Sequence, residues 1–526
     1  MHIPLALRKS LIQYVREEQP FGPPEADKIV EPQCAAALFD WNNSAFAQLL
    51  NGSQVIVGRR GSGKSALLSA FRSKRFLNDE LESEDGRDYR GRYHLTAKTL
   101  LAVPDIYIEV DTPVEVDSLE AACAKRGTIP AIEILAMQWK RRVWLLVGRH
   151  IKATNAELFS ALPAAARSYI NSEDIGQENQ GAITPNEFIG LLEAFLRERS
   201  LTCMVAFDNI ERHKLEDAQN AVLAGLCAAT GDIINSRRAP LDIKLCLPAE
   251  IFDHLDSFLF RPDKDLHRRQ FLHWNAAELM HLAAQRLKLF LALHDPDEYD
   301  LVRDMKIAER NILKAFWLRY LPETITNSVG GKEDTFNYIL RHTQLLPRQL
   351  LTILNNITLR SKRRGTDLFQ EKFGDHEIIK GIEDSEFVNT RAVLVMFQSL
   401  YPNVREMFDV VMPRLRRSFP IGRLHAVFNE SGKAFMEHSN GKPIKNGFLE
   451  FRRLMFSVGA IGLHIEAEST STYSVARFEF NSKYKLNVGD KDTLCIHPMF
   501  SRIYNVEIAD EKVILPRGSD FRLHET

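Results

Sequence analysis

The sequence predicts a parallel α/β sheet flanked by helices, followed by a helical lid and a C-terminal α+β domain. Three observations lead there. Short apolar runs alternate with helical periodicity between about residues 50 and 250, the pattern of a parallel sheet covered on both faces. A GxxxxGK[ST] sequence follows the first of those runs directly. From residue 390 onward, helical segments give way to two alternating segments around a polar tip.

Taken in order, residues 1–50 form a helical lead-in, opening on the amphipathic stretch MHIPLALRKSLIQYVREEQ. Residues 51–262 hold the sheet. Its strand candidates are Ser53–Val57, Ile106–Val110, Thr202–Phe207 and Ile243–Leu247, each short and apolar. Helical periodicity runs over Ala66–Phe71, Ala131–His150, Ala156–Ile170, Pro185–Glu198 and Ala218–Asn235, with polar surface excursions at Asn78–Arg92 and Asn171–Thr184. After Phe252 the strand signal stops. His273–His294, Leu301–Leu321 and Thr335–Leu359 read as helices of a lid over 263–360. The charged, irregular stretch 361–389 reads as a linker. In 390–526, helices at Thr390–Leu400, Arg405–Leu415, Gly422–Glu437 and Gly447–Gly459 precede strands Leu463–Ala467 and Tyr473–Phe480. That is the order of a winged helix.

Composition excludes several classes. With 45% hydrophobic and 26% charged residues among 526, the chain is neither collagen-like nor wholly disordered. Lys plus Arg is 68 and Asp plus Glu is 69, so total charge gives no case for a nucleic-acid or membrane partner, although a local patch remains open. The six cysteines are scattered without a CxxC pair and lie mostly in apolar runs, which suits buried free thiols in a reducing compartment. The start lacks the apolar core of a signal peptide, and no apolar run reaches eighteen residues. The expectation is a soluble cytoplasmic protein without a membrane partner.

The strongest local signal is Gly58-Arg59-Arg60-Gly61-Ser62-Gly63-Lys64-Ser65. Gly58 and Gly63 permit backbone angles and close approach that a Cβ would block. Gly61 and Ser62 add flexibility and a donor. Successive N–H groups would surround phosphates, helped by the positive end of the following helix. Lys64 would reach the β- and γ-phosphates of ATP, and the Ser65 hydroxyl would hold Mg²⁺. A second carboxylate is expected at the end of a neighbouring strand, and the run LTCMVAFDNIER supplies Asp208 as a metal-holding group. The next residue is Asn209, where many ATPases carry Glu. Glu211 is the nearest carboxylate; it either polarises the attacking water or caps a following helix. The fourth strand candidate leads into Leu247-Pro248-Ala249-Glu250, and Pro248 offers no polar group to sense a γ-phosphate. Arg261, Arg268 and Arg269 are candidate charge stabilisers that read more readily as solvated surface arginines. Arg348, opening the helix LPRQLLTILNNI, is a better one.

Together, VIVGRRGSGKSALL, FDNIER, HWNAAELMHLAAQRL and LLPRQLL resemble bacterial P-loop ATPases of the STAND and origin-recognition-like branch of the AAA+ superfamily. The resemblance covers roughly residues 20 to 360, and only the phosphate loop is highly specific. It implies an α/β nucleotide domain, a helical lid, a C-terminal winged helix and a nucleotide-driven switch. Such switches are often homo-oligomeric and frequently tied to bacterial stress or antiphage defence. By position it assigns Gly58, Gly63, Lys64 and Ser65 to the phosphates, Asp208 to the metal and Arg348 to the lid. Phe21–Asp27 would lie over the adenine. Asn209 and Pro248 depart from the hydrolysing pattern.

In the C-terminal module, Asn446–Gly459 would be the groove helix, carrying Arg452 and Arg453. Arg414, Arg416, Arg417, Lys442 and Lys445 lie nearby in sequence, a modest basic excess. The tip Glu468–Thr472 has no Lys or Arg, so a DNA partner and a protein partner stay open. His464 and His497 lack metal-ligand companions and read as structural.

Overall fold

The computed structural model describes residues 5–40, 54–69, 104–124, 131–174, 183–209, 217–235, 240–256, 269–327, 330–363, 369–438, 441–481, 485–506 and 512–521. The chain divides into two compact units. One comprises Trp41–Gly58 and Leu67–Leu272; the other comprises Met1–Asp40, Arg59–Ala66 and His273–Thr526.

The first unit is an α/β layer around a five-stranded parallel sheet. Its strands are β1 (Val55–Gly58), β2 (Ile106–Asp111), β3 (Cys203–Asp208), β4 (Leu241–Pro248) and β5 (Arg269–Phe271), in the order β2-β3-β4-β1-β5. All four residues of β1 are buried, as are the first five of β3, which explains their unbroken apolar sequences. Helices Ile132–Thr154 and Asp217–Asn235 pack against each other and the sheet. Helix Pro185–Glu198 starts on a capping box between Thr184 and Glu187 and buries Phe188, Ile189, Leu192, Phe195 and Leu196 on one face.

Three helix expectations divide in the structure. Leu301–Leu321 becomes the end of Pro296–Val302 and the separate helix Arg310–Tyr320. Ala156–Ile170 becomes Ala156–Ala161 and Ala164–Asp174, because Pro163 removes a backbone donor and pushes Leu162 into extended geometry. Thr335–Leu359 becomes Thr335–Arg341 and Pro347–Arg363, separated by a turn in which Leu345 has φ +52°. Strands also continue beyond Phe252: β5, β6 (Thr324–Thr326) and β7 (Lys332–Asp334) have three residues each, too few to show alternation.

The second unit begins with helices Leu5–Tyr14 and Pro32–Leu38 and continues with the helices of the lid region. Ala276–His294 opens on a second capping box, Asn275 with Glu278. The stretch read as a linker is largely ordered: Asp375–Phe397 is one helix of 23 residues packed along Pro347–Arg363. The apolar stripe Ile378, Ile382, Val393, Leu394 and Phe397 is buried, but the sequence pattern hides it, because Glu377 and Glu386 are buried beside it and Phe387 and Val388 are exposed.

The C-terminal sheet has five strands where a two-stranded ribbon was expected. To the expected pair, β9 (Ile461–His464) and β10 (Tyr473–Arg477), it adds β8 (Ser418–Pro420), β11 (Thr493–Ile496) and β12 (Val513–Pro516). The order is β12-β10-β9-β11-β8, with β10 and β12 parallel and the other pairs antiparallel. Helices Val404–Val411, Ile421–Val427 and Gly447–Ser457 share its core through Phe408, Leu424, Phe451, Met455 and Ile461.

Candidate functional site

The phosphate-loop sequence leaves β1 at Gly58, turns through Arg59–Gly63 and enters a helix at Lys64. Gly61 has φ +86° and Gly63 φ +97°, left-handed values that a side chain resists. Gly58, expected to be one of the two conformationally free positions, is instead the last residue of β1, paired with Pro248. The freedom required at the start of the motif lies at Gly61.

Two neighbours in the same unit fix the loop, Trp274 and Arg348. Trp274 Nε1 donates to the Ser62 carbonyl at 2.8 Å. The Arg348 backbone N–H reaches the Gly61 carbonyl at 3.4 Å. A Cβ built on Gly61 would stand 3.0 Å from Arg348 Cβ and 3.4 Å from its Cδ, so only glycine admits this approach. Lys64, only 5% exposed, donates from Nζ to the Arg59 carbonyl at 3.3 Å. The Ser62 hydroxyl is buried and has no hydrogen-bond partner among the described residues. An orphaned hydroxyl, a buried ammonium and two left-handed glycines give the loop the donors and backbone angles that an anion site uses.

Arg348 is the second residue of helix Pro347–Arg363. The segment after the first helix is also anchored to this unit. The Phe21 N–H donates to Asn355 Oδ1 at 3.1 Å, and Asn355 Nδ2 donates to the Gly22 carbonyl at 3.1 Å. Arg286 donates to the carbonyls of Phe21 and Pro23 at 2.9 and 3.1 Å, and burial pushes its guanidinium down to about 10. The Phe21 ring stacks on Trp317 at 6.2 Å.

In the sheet unit, Asp208 ends β3 in register with Asp111 of β2 and is half-buried. Asn209 follows with φ +65°, so the chain turns sharply immediately after the carboxylate. Pro248 ends β4, and helix Ala249–Asp256 starts at once with Glu250 in its first turn. Because the sheet is parallel, Gly58, Asp208 and Pro248 all lie at the carboxyl ends of their strands, the edge where open α/β sheets bind ligands. Glu211, Arg261 and Arg268 lie outside the described residues. Arg269 is exposed on β5, its guanidinium near the rings of Phe252 and Phe271. Sequence reasoning missed Trp274, whose only signal is its place immediately before the capping Asn275.

The other expected partner surface is helix Gly447–Ser457. Arg453 is exposed and pairs with Glu450 at 2.9 Å, while Arg414 and Arg423 both face Glu430, at 3.8 and 3.5 Å. These three arginines therefore share two carboxylates within the module. His464 lies between the hydroxyls of Ser418 and Ser474, and His497 is fully buried. Among the described residues Cys34, Cys203, Cys227, Cys246 and Cys495 are buried and form no disulfide; burial raises the thiols of Cys34 and Cys203 to about 12. Among the described residues no group of three or more His, Cys, Asp or Glu could hold a metal ion, and no helix is long and apolar enough to cross a membrane.

No known protein family and no curated protein matches the chain. Among solved structures, the chain is similar to the Aeropyrum pernix ORC2 protein in its ADPNP-ADP complexes, at 12% identity and TM-score 0.33, over 87% of this chain and 89% of that one. It is also similar to the Aeropyrum pernix ORC1 protein in complex with DNA, at 10% identity and TM-score 0.32, over 90% and 94% of the two chains. A third is Cdc6p from Pyrobaculum aerophilum, at 9% identity and TM-score 0.27, over 88% and 91%. The parallel sheet and the loop geometry, not these scores, establish the α/β fold.

Proposed function

We propose that the chain is an ATP-binding, Mg²⁺-dependent P-loop ATPase of the AAA+ type that works as a nucleotide switch. The observation that carries this reading is the loop Gly58–Ser65, with left-handed Gly61 and Gly63, the buried orphan hydroxyl of Ser62 and buried Lys64. Backbone N–H groups of the loop hold the β-phosphate. Lys64 exchanges the Arg59 carbonyl for phosphate oxygens. The Ser65 hydroxyl and the Asp208 carboxylate are hard oxygen donors of the kind Mg²⁺ takes. When bound, Mg²⁺ supplies neutralisation of the charge on the β- and γ-phosphates. Arg348 is the candidate to stabilise charge that develops on the terminal phosphate, and Glu211 the candidate to orient water.

A second reading is a nucleotide-gated assembly protein with negligible turnover. It is favoured by Pro248, which gives the end of β4 no polar side chain, and by left-handed Asn209 in place of a second carboxylate. A third, a nucleotide-controlled regulator that binds DNA through residues 390–526, is less favoured than a protein partner, because Arg453 and Arg414 are ion-paired within the module.

Calorimetry with Mg·ATP tests the first reading: the wild-type chain binds and Lys64→Ala binds much more weakly. Phosphate release that Glu211→Gln abolishes supports the enzyme; binding without release at any protein or duplex concentration supports the gated assembly. Duplex affinity that falls steeply with salt and with Arg452→Ala plus Arg453→Ala would restore the DNA reading. Homo-oligomerisation on ATP addition, read by light scattering, tests assembly. The bacterial stress or antiphage setting comes from the sequence resemblance and is tested by infecting cells that carry or lack the gene.

A further inference from the structure

Arg59 is a long cation inside the phosphate-binding sequence, yet only 8% of it is exposed. Its guanidinium donates to the Val458 carbonyl at 3.0 Å and lies 5.9 Å from the centre of the Phe480 ring. Val458 ends helix Gly447–Ser457, where the last carbonyls have no partner within the helix. That terminus is closed by Gly459 at φ +73°, with Ala460 N–H donating to Met455 and Gly459 N–H to Phe456. The Val458 carbonyl accepts a second hydrogen bond, from Gln344 Nε2 at 2.9 Å. Gln344 is tied in turn to the lid helix, its N–H donating to Gln349 Oε1 at 2.6 Å. One carbonyl of the C-terminal domain therefore gathers the phosphate loop and the lid.

The other end of Arg59 faces the nucleotide chemistry. Its backbone carbonyl accepts from Lys64 Nζ at 3.3 Å and from the Ser62 N–H at 3.0 Å. A Cβ on Gly459 would stand 2.7 Å from Gln344 Nε2, 2.8 Å from Phe480 Cδ1 and 3.3 Å from an Arg59 guanidinium nitrogen. This junction has no room for even one added methyl group.

We propose that Arg59 is a positioning residue that fastens the phosphate loop to the end of helix Gly447–Ser457, so that the Val458–Gly459 turn sets the affinity for nucleotide. The inference rests on the nucleotide-binding reading above. A guanidinium held at Val458 limits where the Arg59 peptide can lie, and that peptide helps form the loop Lys64 must leave to reach phosphate. Linkage makes the effect reciprocal: nucleotide in the loop biases the turn, and the turn biases the loop.

The test uses the full chain, a slowly hydrolysed ATP analogue with Mg²⁺, and calorimetry. Gly459→Ala and Phe480→Leu alter the turn and the ring without touching the phosphate loop's sequence. Each is expected to weaken analogue binding about fivefold or more, as Arg59→Ala does, with Arg59→Lys falling between Arg59→Ala and wild type. Arg59→Ala combined with Phe480→Leu should bind no more weakly than Arg59→Ala alone, since both break one connection. Amide exchange at residues 458–460 should slow when the analogue binds wild-type protein and stay unchanged when it binds Arg59→Ala. Wild-type affinity in folded Gly459→Ala and Phe480→Leu overturns the proposal, as does strict additivity in the double variant. If Gly459→Ala does not fold, Phe480→Leu and the double variant decide alone. Failure of the wild-type chain to bind the analogue overturns the nucleotide reading as well, whereas normal binding that all these variants leave intact overturns only the role of Arg59.

Discussion

At Gly61 the backbone angle and the neighbouring Arg348 impose the same requirement. Ala there would adopt an unfavourable φ and place its methyl 3.0 Å from Arg348 Cβ. Gly61→Ala is therefore expected to cost about 1–3 kcal/mol in urea unfolding and to lower nucleotide affinity. Lys64→Ala removes a charged donor from the proposed phosphate site, and calorimetry should find a loss of about 2–5 kcal/mol in binding free energy. His497 makes a pH prediction. Burial, with the charges of Arg59 and Arg341 adding to it, lowers its imidazole from 6.5 to about 3. Between those two values the unfolded chain binds a proton that the folded chain refuses, so stability should fall as pH drops from 6.5 towards 3. Its Nδ1 accepts the Met499 N–H at 3.2 Å, a bond that only the unprotonated nitrogen can make. His497→Asn, which keeps an acceptor but cannot titrate, should flatten the pH dependence of the melting temperature over that interval.

Among the elements, two helix pairs approach closely because a glycine lies between them. Gly381 on Asp375–Phe397 faces Ile357, whose backbone N would be 2.6 Å from an added Cβ; the same helices are joined by Asn356 Nδ2 to Ser385 Oγ at 2.9 Å and by the Arg360–Asp384 ion pair. In the sheet unit, Gly225 on Asp217–Asn235 faces Leu135 of Ile132–Thr154, with Leu135 Cβ at 2.6 Å from the built position. Backbone cannot move aside as a side-chain tip can. Gly381→Ala should therefore lower stability by about 1–3 kcal/mol in urea unfolding followed by circular dichroism. Strands and helices with strong patterns were legible: β3 and Pro185–Glu198 fall within a residue of expectation. Helix Asp375–Phe397 was not, because buried Glu377 and Glu386 and exposed Phe387 and Val388 blur its buried stripe. Strands β5 to β7 were too short to show a period.

For the whole molecule, ligand linkage gives a measurement that needs no knowledge of turnover. A ligand that binds only the folded chain, present at 100 times its Kd, stabilises it by about 2.7 kcal/mol, so Mg·ATP should raise the melting temperature of the wild-type protein. The same concentration should raise Lys64→Ala much less, and an equal rise in both proteins would place the ligand elsewhere. The chain's organisation also carries a lesson about locality. Arg59–Ala66, continuous in sequence with β1, groups with the lid region and the C-terminal sheet. A motif recognised from eight adjacent residues is thus supported by partners about 200 to 400 positions away, including Trp274, Arg348 and Val458.

By itself the sequence determined the parallel α/β sheet and the location of the phosphate loop. Both depend on local rules: an apolar run long enough for a buried strand, and glycines where the backbone needs left-handed angles. Which glycine takes such angles, that Arg59 turns inward to a helix terminus, and that the C-terminal strands form a five-membered sheet were decided by tertiary structure. Those features depend on contacts between segments far apart in the chain, and the identity of a residue does not record which distant carbonyl will need its hydrogen bond.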